Sequence, residues 1–359
     1  MSGKPTLAVV GATGAVGAVL LGALSHHADV WGEIRLLASP RSAGRRLTVR
    51  GEETEVLALS DAHEDRLDGV DLALFAVPGA VAARWAPVAV AKGAVVVDTS
   101  TAFRTDPDVP LVVPEINAHA ARVRPRGIVA SPGCATLTPI VALGALHAEY
   151  GLTEAVVTLQ QAASGAGRAG EAALREQLAL VTGSELGTRP GDVRRAVGDH
   201  TGPFPGPLAL NVLPWSGEPA ADGWSSEELA VRAETRKILD LPRLPVTATC
   251  VRVPVVTGHS AVVHARFERP VTVGRAHEIL ATSPGVVLYD DPAAGDYPTP
   301  ADVVGTDPTW VGRVRRHPDD ERGLEFFACA DNLRKGAALN AVQIAERIAA
   351  ERAASDSAG

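Results

Sequence analysis

Short apolar runs rich in β-branched residues alternate with longer stretches of helical periodicity in the first third of the chain. The runs fall at residues 6–10 (TLAVV), 34–39 (IRLLAS), 71–77 (DLALFAV) and 94–100 (AVVVDTS), with a helix predicted from about 14 to 27 and another before the fourth run. Strands bounded in this way by helices build a parallel sheet covered on both faces. After a further strand at 127–130 (GIVA) the rhythm changes. A long apolar helix pattern (135–150) leads into longer, two-faced strand patterns at 153–162, 244–256 and 259–271, linked partly by Pro/Gly-rich loops such as 201–217. The last two strands flank Thr257-Gly258, which reads as a hairpin or tight corner and predicts antiparallel pairing. The pattern therefore predicts an α/β domain over residues 1–132, completed by a C-terminal helix at about 334–355, and an α+β domain over 133–333.

The length of 359 residues suits two domains. With 46% apolar and 21% charged residues and a net charge of −8, the chain reads as globular, and its scattered Lys and Arg form no basic stripe for nucleic acid. No apolar run approaches the ~18 residues that would span a bilayer, and the start lacks a cleavable signal, so a cytoplasmic protein without membrane attachment is expected. The three cysteines, Cys134, Cys250 and Cys329, are widely spaced, with no CxxC and no paired histidines nearby. Neither a disulfide framework nor a metal site is predicted.

The first strand runs into residues 11–17, GATGAVG, which place Gly11, Gly14 and Gly17 at GxxGxxG spacing before a helix. Glycines there permit a tight turn and bring backbone amides to a pyrophosphate resting on the helix N-terminus, as in a Rossmann-like dinucleotide-binding domain. The bland alternative is a tight βα turn with no ligand. After the second strand no acidic residue follows; instead residues 38–47 carry Arg41 and Ser42, suited to the 2′-phosphate of NADP, or else a solvated basic loop.

Cys134 lies between a strand and the 135–150 helix pattern, where helix amides favour a thiolate. It is a candidate nucleophile, although an inert buried thiol also fits there. Cys250 and Cys329 sit in strand-like apolar runs and read as structural. A thiolate attacking a carbonyl or acyl phosphate needs an acid or base, an anion clamp and a hold on the substrate's tail. The chain offers Arg104 in a loop after a strand, Gln161 at the lip of a glycine loop, Glu234 and Lys237 one turn apart on a helix, and Arg252 and His259 in one run. Singly each has a dull reading: a surface ion pair, a strand-edge charge, a turn histidine.

Together these runs resemble aspartate-β-semialdehyde dehydrogenase. The matching stretches are GATGAVG, RSAG, STAFRTDPDVPLVVPEIN, QAASGAG, ETRKIL, PVTATCVRVPVVTGHS and DNLRKGAALNAVQIAE, in family order from near residue 6 to near residue 347. The resemblance implies a fold like that of glyceraldehyde-3-phosphate dehydrogenase. It implies reversible, NADP-dependent reductive dephosphorylation of β-aspartyl phosphate to aspartate β-semialdehyde, on the route to lysine, threonine and methionine, by a homodimer or homotetramer. It further implies that Cys134 forms an acyl-thioester, His259 is the acid/base and Gln161 orients the thioester. Arg252 would bind the substrate α-carboxylate, Glu234 its α-ammonium, and Arg104 and Lys237 the phosphate. Gly11, Thr13, Gly14, Ala15, Val16, Arg41, Ser42, Ser164, Gly165 and Asn332 match cofactor positions. Two positions depart from the family. Gly133 stands where asparagine usually precedes the nucleophile, with Ala135 after it, a Gly-Cys pair similar to that of N-acetyl-glutamyl-phosphate reductase; Pro78 stiffens a loop that is usually Gly/Ser. A reductase for a related acyl phosphate and a non-catalytic NADP-binding paralogue are therefore the competing readings.

Overall fold

The computed structural model describes residues 4–27, 30–183 and 185–358, the last four in backbone only. The chain forms two compact units: Met1–Gly133 with Lys237–Leu239 and Gly336–Gly359, and Cys134–Arg236 with Asp240–Lys335. The first unit contains β1 (Leu7–Val10), α1 (Ala15–His26), β2 (Ile34–Ala38), β3 (Arg46–Val49), β4 (Glu52–Ala58), β5 (Leu72–Phe75), α2 (Gly79–Ala91), β6 (Val95–Asp98), α3 (Pro114–Asn117) and β7 (Ile128–Ala130). Its sheet runs β3-β4-β2-β1-β5-β6-β7, parallel throughout except for β3 against β4. β1, β5 and β7 are buried along their whole length, as uninterrupted apolar runs require in a parallel sheet. The antiparallel edge was not among the expected strands. It closes through Arg50-Gly51, whose φ values of +54° and +81° are both in the left-handed region that a two-residue hairpin loop demands.

The second unit contains α4 (Cys134–Tyr150), β8 (Leu152–Gln161), α5 (Gly167–Val181), α6 (Asp192–Val197), α7 (Ser226–Ile238, whose last two residues belong to the first unit), β9 (Val246–Arg252), β10 (His259–Phe267), α8 (Val273–Thr282), β11 (Val286–Leu288), α9 (Pro300–Val303), β12 (Thr309–Arg316) and β13 (Gly323–Ala330). Its sheet runs β11-β12-β13-β10-β8-β9. Of the two readings of Thr257-Gly258, hairpin or tight corner, the hairpin does not form. β8 lies between β9 and β10, parallel to β9 and antiparallel to β10, so the glycine turn carries the chain over a strand rather than back along its neighbour. α4 packs on β8, β10, β12 and β13, and most of its residues are buried, which explains an apolar pattern that runs all round the helix. β10 alternates between buried and accessible positions, and on its accessible side Val262 stands near Val156 of β8, both exposed.

α10 (Leu339–Ala358) returns to the first unit, where Val342, Ile344 and Ile348 join Leu20 and Leu24 of α1 and Leu72 and Leu74 of β5 in one apolar core. Asn340 at its start donates to Val112 O (3.0 Å) and Ser131 Oγ (2.9 Å), tying the helix to the segments on either side of β7. Among the described residues no helix is long and apolar enough to cross a membrane.

Candidate active site

The turn between β1 and α1 depends on its glycines. Gly11 has φ +91°, and a Cβ there would lie 2.2 Å from Ala76 O; one on Gly17 would lie 2.2 Å from Gly11 O. Gly14 caps α1 with no side-chain hydrogen bond, and the first turn holds no acidic residue. The helix-end amides are thus not satisfied by a side chain, and a dinucleotide pyrophosphate fits them. Thr13 Oγ1 donates to Ser42 Oγ at 3.4 Å, placing the β2-end loop beside the glycine turn, and Arg41 is exposed. No carboxylate occupies the β2-end loop from Ser39 to Arg46.

In the same unit Arg104 donates from Nη2 to Thr99 O at 2.7 Å. Lys237, for which the resemblance implies phosphate binding, is engaged with the backbone. Its Nζ donates to Arg104 O (3.0 Å), Asp106 O (2.6 Å) and Val109 O (2.7 Å), using all three ammonium protons. Burial lowers its pKa. In this structure Lys237 is a strut for the loop that carries Arg104.

In the second unit Cys134 is the first residue of α4, so the partial positive charge of the helix N-terminus faces the start of its side chain. Its Sγ lies 3.3 Å from Nε2 of His259, the first residue of β10. The other ring nitrogen, Nδ1, accepts the backbone N–H of Ala162 at 3.1 Å. An atom that accepts an N–H carries no proton, so a neutral ring holds its proton on Nε2, facing the sulfur. His259 is fully buried, and its pKa is lowered to about 3, first by burial and then by the Arg252 guanidinium. The pair is therefore a sulfur beside a neutral imidazole that donates.

Gln161 and Arg252 end β8 and β9 at paired register positions. Arg252 Nη1 donates to Ala162 O (2.8 Å) and Nη2 to Ser216 Oγ (2.7 Å), while the guanidinium stands 6.0 Å from the Phe204 ring. Burial lowers its pKa, but a guanidinium stays charged in proteins. A buried cation aimed by two hydrogen bonds suits a ligand carboxylate. Glu234, 2% exposed on α7, accepts from Thr136 Oγ1 at 2.5 Å, two residues after Cys134. Gly165, matched to a cofactor position, packs against this cluster: a Cβ there would lie 2.6 Å from Arg252 Nη1 and 3.1 Å from the His259 ring. Ser164 and Asn332 bond each other at 2.9 and 3.1 Å, and Asn332 Oδ1 also accepts Gly258 N–H at 2.9 Å, so the asparagine joins the loops before α5 and β10.

Cys250 and Cys329 are buried strand residues whose thiol pKa values burial raises, to about 11 for Cys329. They are inert beside Cys134. One group with metal-like spacing occurs among the described residues: His264, His317 and Glu325. Glu325 there bonds His264 at 2.6 Å and has the Arg315 guanidinium at 4.0 Å, so a protein cation already stands beside its charge.

Two family profiles match the chain. The semialdehyde dehydrogenase NAD binding domain matches residues 6–123 and the semialdehyde dehydrogenase dimerisation domain matches residues 143–335. Aspartate-semialdehyde dehydrogenase of Corynebacterium glutamicum is 44% identical over 345 residues, covering 95% of this chain and 98% of the relative. The chain belongs to the aspartate-semialdehyde dehydrogenase family. The family enzyme of Aquifex aeolicus is 40% identical over 96% of the chain. The crystal structure of aspartate semialdehyde dehydrogenase II from Vibrio cholerae complexed with ASA superposes with a TM-score of 0.86 at 36% identity, covering 97% of this chain and 98% of that one. The chain is thus an oxidoreductase of this family, with an NAD(P)-binding domain and a dimerisation domain. Sequence reasoning missed Thr136, Ser216 and Glu227, which bond Glu234, Arg252 and Gln161 respectively. A hydroxyl or a helix-start glutamate has a common capping use, and nothing in its spacing marks a catalytic partner.

Proposed function

We propose that the protein catalyses the reversible, NADP-dependent conversion of L-β-aspartyl phosphate to L-aspartate β-semialdehyde and phosphate through a thioester on Cys134. The observation that carries the reading is the Cys134 Sγ to His259 Nε2 contact of 3.3 Å, with the tautomer set by Ala162 N–H. The Cys134 thiolate attacks the acyl carbon, forming a C–S bond and a tetrahedral oxyanion that His259 Nε2–H stabilises. The carbonyl re-forms as the C–O bond to phosphate breaks and inorganic phosphate leaves; Arg104, whose loop Lys237 supports, takes the phosphate-binding role that the family resemblance implies. When bound, NADPH supplies a hydride to the thioester carbonyl carbon. His259 stabilises the second oxyanion; collapse breaks the C–S bond, returns the thiolate and releases the aldehyde. Gln161 orients the acyl group, Arg252 holds the α-carboxylate and Glu234 the α-ammonium.

The glycine turn (Gly11, Thr13, Gly14, Ala15, Val16) holds the pyrophosphate, and Arg41 with Ser42 selects the 2′-phosphate. Support for NADP over NAD is the β2-end loop, which offers a guanidinium and a hydroxyl and no carboxylate for a ribose diol. Ser164, Gly165 and Asn332 complete the cofactor positions, and the working form is a homodimer or homotetramer. The test is phosphate- or arsenate-dependent NADP reduction with L-aspartate β-semialdehyde, run beside N-acetyl-glutamate semialdehyde and the Cys134→Ser variant. Turnover of the aspartate aldehyde, lost in the variant, is expected. No turnover of either aldehyde in protein that still binds NADPH refutes the assignment.

A further inference from the structure

Gln161 is 1% exposed, and its two amide atoms have unequal surroundings. Nε2 donates to Glu227 Oε1 at 3.3 Å, while Oε1 is buried and has no hydrogen-bond partner among the described residues. A carboxylate has no proton to give, so only the NH2 end of an amide can face it; turned over, Gln161 would oppose two acceptors. Glu227 therefore decides which end of the amide is left available. The available end is a carbonyl oxygen, and a buried acceptor is costly unless a donor meets it.

Glu227 is itself held in place. It lies in the first turn of α7, which Ser225 and Glu228 clamp reciprocally: Ser225 N–H donates to Glu228 Oε2 (3.0 Å) and Glu228 N–H to Ser225 Oγ (3.2 Å). Glu228 Oε1 then accepts Cys250 N–H of β9 at 3.0 Å, fastening the helix start to the strand that carries Arg252. Of two adjacent glutamates, Glu228 docks the helix and Glu227 faces the site. The negative charge of Glu227 also acts on Arg252 and on Cys250.

We propose that Glu227 is a positioning residue that locks the Gln161 amide so that its carbonyl oxygen, as a hydrogen-bond acceptor, is presented to an N–H or O–H donor of the bound substrate. This deepens, and rests on, the reading of the Cys134 cluster as an acyl-transfer site. The donor class it selects includes a free ammonium and the hydroxyl of a hemithioacetal.

The test is a double-mutant cycle in the NADP-reduction assay. Glu227→Gln is expected to lower kcat/KM for the aldehyde about ten-fold with the thermal midpoint little changed, because a neutral amide no longer dictates which end of Gln161 faces it. In a Gln161→Ala background the same change is expected to cost less than two-fold. An equal loss in both backgrounds overturns the proposal and assigns the effect to Arg252; a Glu227→Gln enzyme within two-fold of wild type also overturns it. If Glu227→Gln does not fold, Gln161→Glu decides. That variant opposes two carboxylates and is expected to be the weaker enzyme alone, with activity recovered in Gln161→Glu/Glu227→Gln, where the bond re-forms with donor and acceptor exchanged; no recovery overturns the proposal. One readout is independent of turnover. The Gln161 side-chain NH2 signal, assigned as the one lost in Gln161→Ala, is expected to shift in Glu227→Gln. An unmoved signal refutes the positioning role even if wild type turns over no aldehyde, and inactive wild type with a shifted signal refutes only the reaction assignment.

Discussion

Replacing His259 by glutamine should remove a pH dependence from the stability of the protein. In the folded chain the imidazole is fully buried, donates toward Cys134 and accepts Ala162 N–H. Burial disfavours the charged ring and the Arg252 guanidinium adds to this, so the folded pKa falls to about 3 from the ordinary 6.5. Between these values the unfolded chain binds a proton that the folded chain refuses. Stability is therefore intact above pH 6.5 and declines as the pH falls toward 3, at about 1.4 kcal/mol per pH unit. From pH 6.5 to 4.5 the loss is about 2 to 3 kcal/mol. The measurement is urea unfolding at pH 7.5 and 4.5 for wild type and His259→Gln. The variant has a constant offset from lost packing and hydrogen bonds, but the fall between the two pH values should be smaller than in wild type by that amount. Equal falls would mean that His259 takes up a second proton in the folded protein as readily as in the unfolded chain, and the neutral ring assigned to it would be wrong.

Lys237→Met removes three hydrogen bonds from the backbone at 104–109 and should speed amide hydrogen exchange there about ten-fold or more, raising KM for phosphate in parallel; unchanged protection would show that the lysine is no strut. Gly17→Ala, whose Cβ would sit 2.2 Å from Gly11 O, should lose at least ten-fold in NADPH affinity by fluorescence titration. Gly22→Ala on the same helix meets nothing within 4 Å and should keep affinity while stabilising the protein by about 0.5 to 1 kcal/mol. Ser216→Ala frees one of the two hydrogen bonds that aim Arg252 and should raise KM for the aldehyde about five-fold with little change in kcat; a fall in kcat alone would place Arg252 away from substrate binding.

The parts of the fold that were legible in the sequence are those decided locally. β1, β2, β5 and β6 show as apolar runs because both faces of a parallel strand are buried, and the helices between them show by period. Pairing is decided elsewhere. Thr257-Gly258 looks like a hairpin turn because its residues permit one, yet β8, about 90 residues earlier, takes the place between β9 and β10. The β3–β4 edge strands escaped because they are mostly polar; only Arg50-Gly51 marked their turn, and arginine is an unusual residue to hold φ +54°.

The same division runs through the candidate site, and it has a chemical reason. Cys134, His259, Arg252 and Gln161 stand out as candidates in the sequence because the runs that hold them, taken together, resemble the family's. Their partners do not, because Thr136, Ser216 and Glu227 each do what many surface residues do, at a place that only the fold creates. Lys237 shows what a family resemblance leaves unsaid. An ammonium beside an arginine loop reads as half of an anion clamp, but the structure puts all its protons on carbonyl oxygens of that loop. Such an ammonium keeps its charge near the arginine while losing its freedom to coordinate, so on the proposed reading Arg104 makes the directional contact with phosphate. Specificity for phosphate then rests on the shape of the 104–109 loop as much as on the two charges, and a substitution that keeps the charge but misses the three carbonyls, Lys237→Arg, should weaken phosphate binding nearly as much as Lys237→Met.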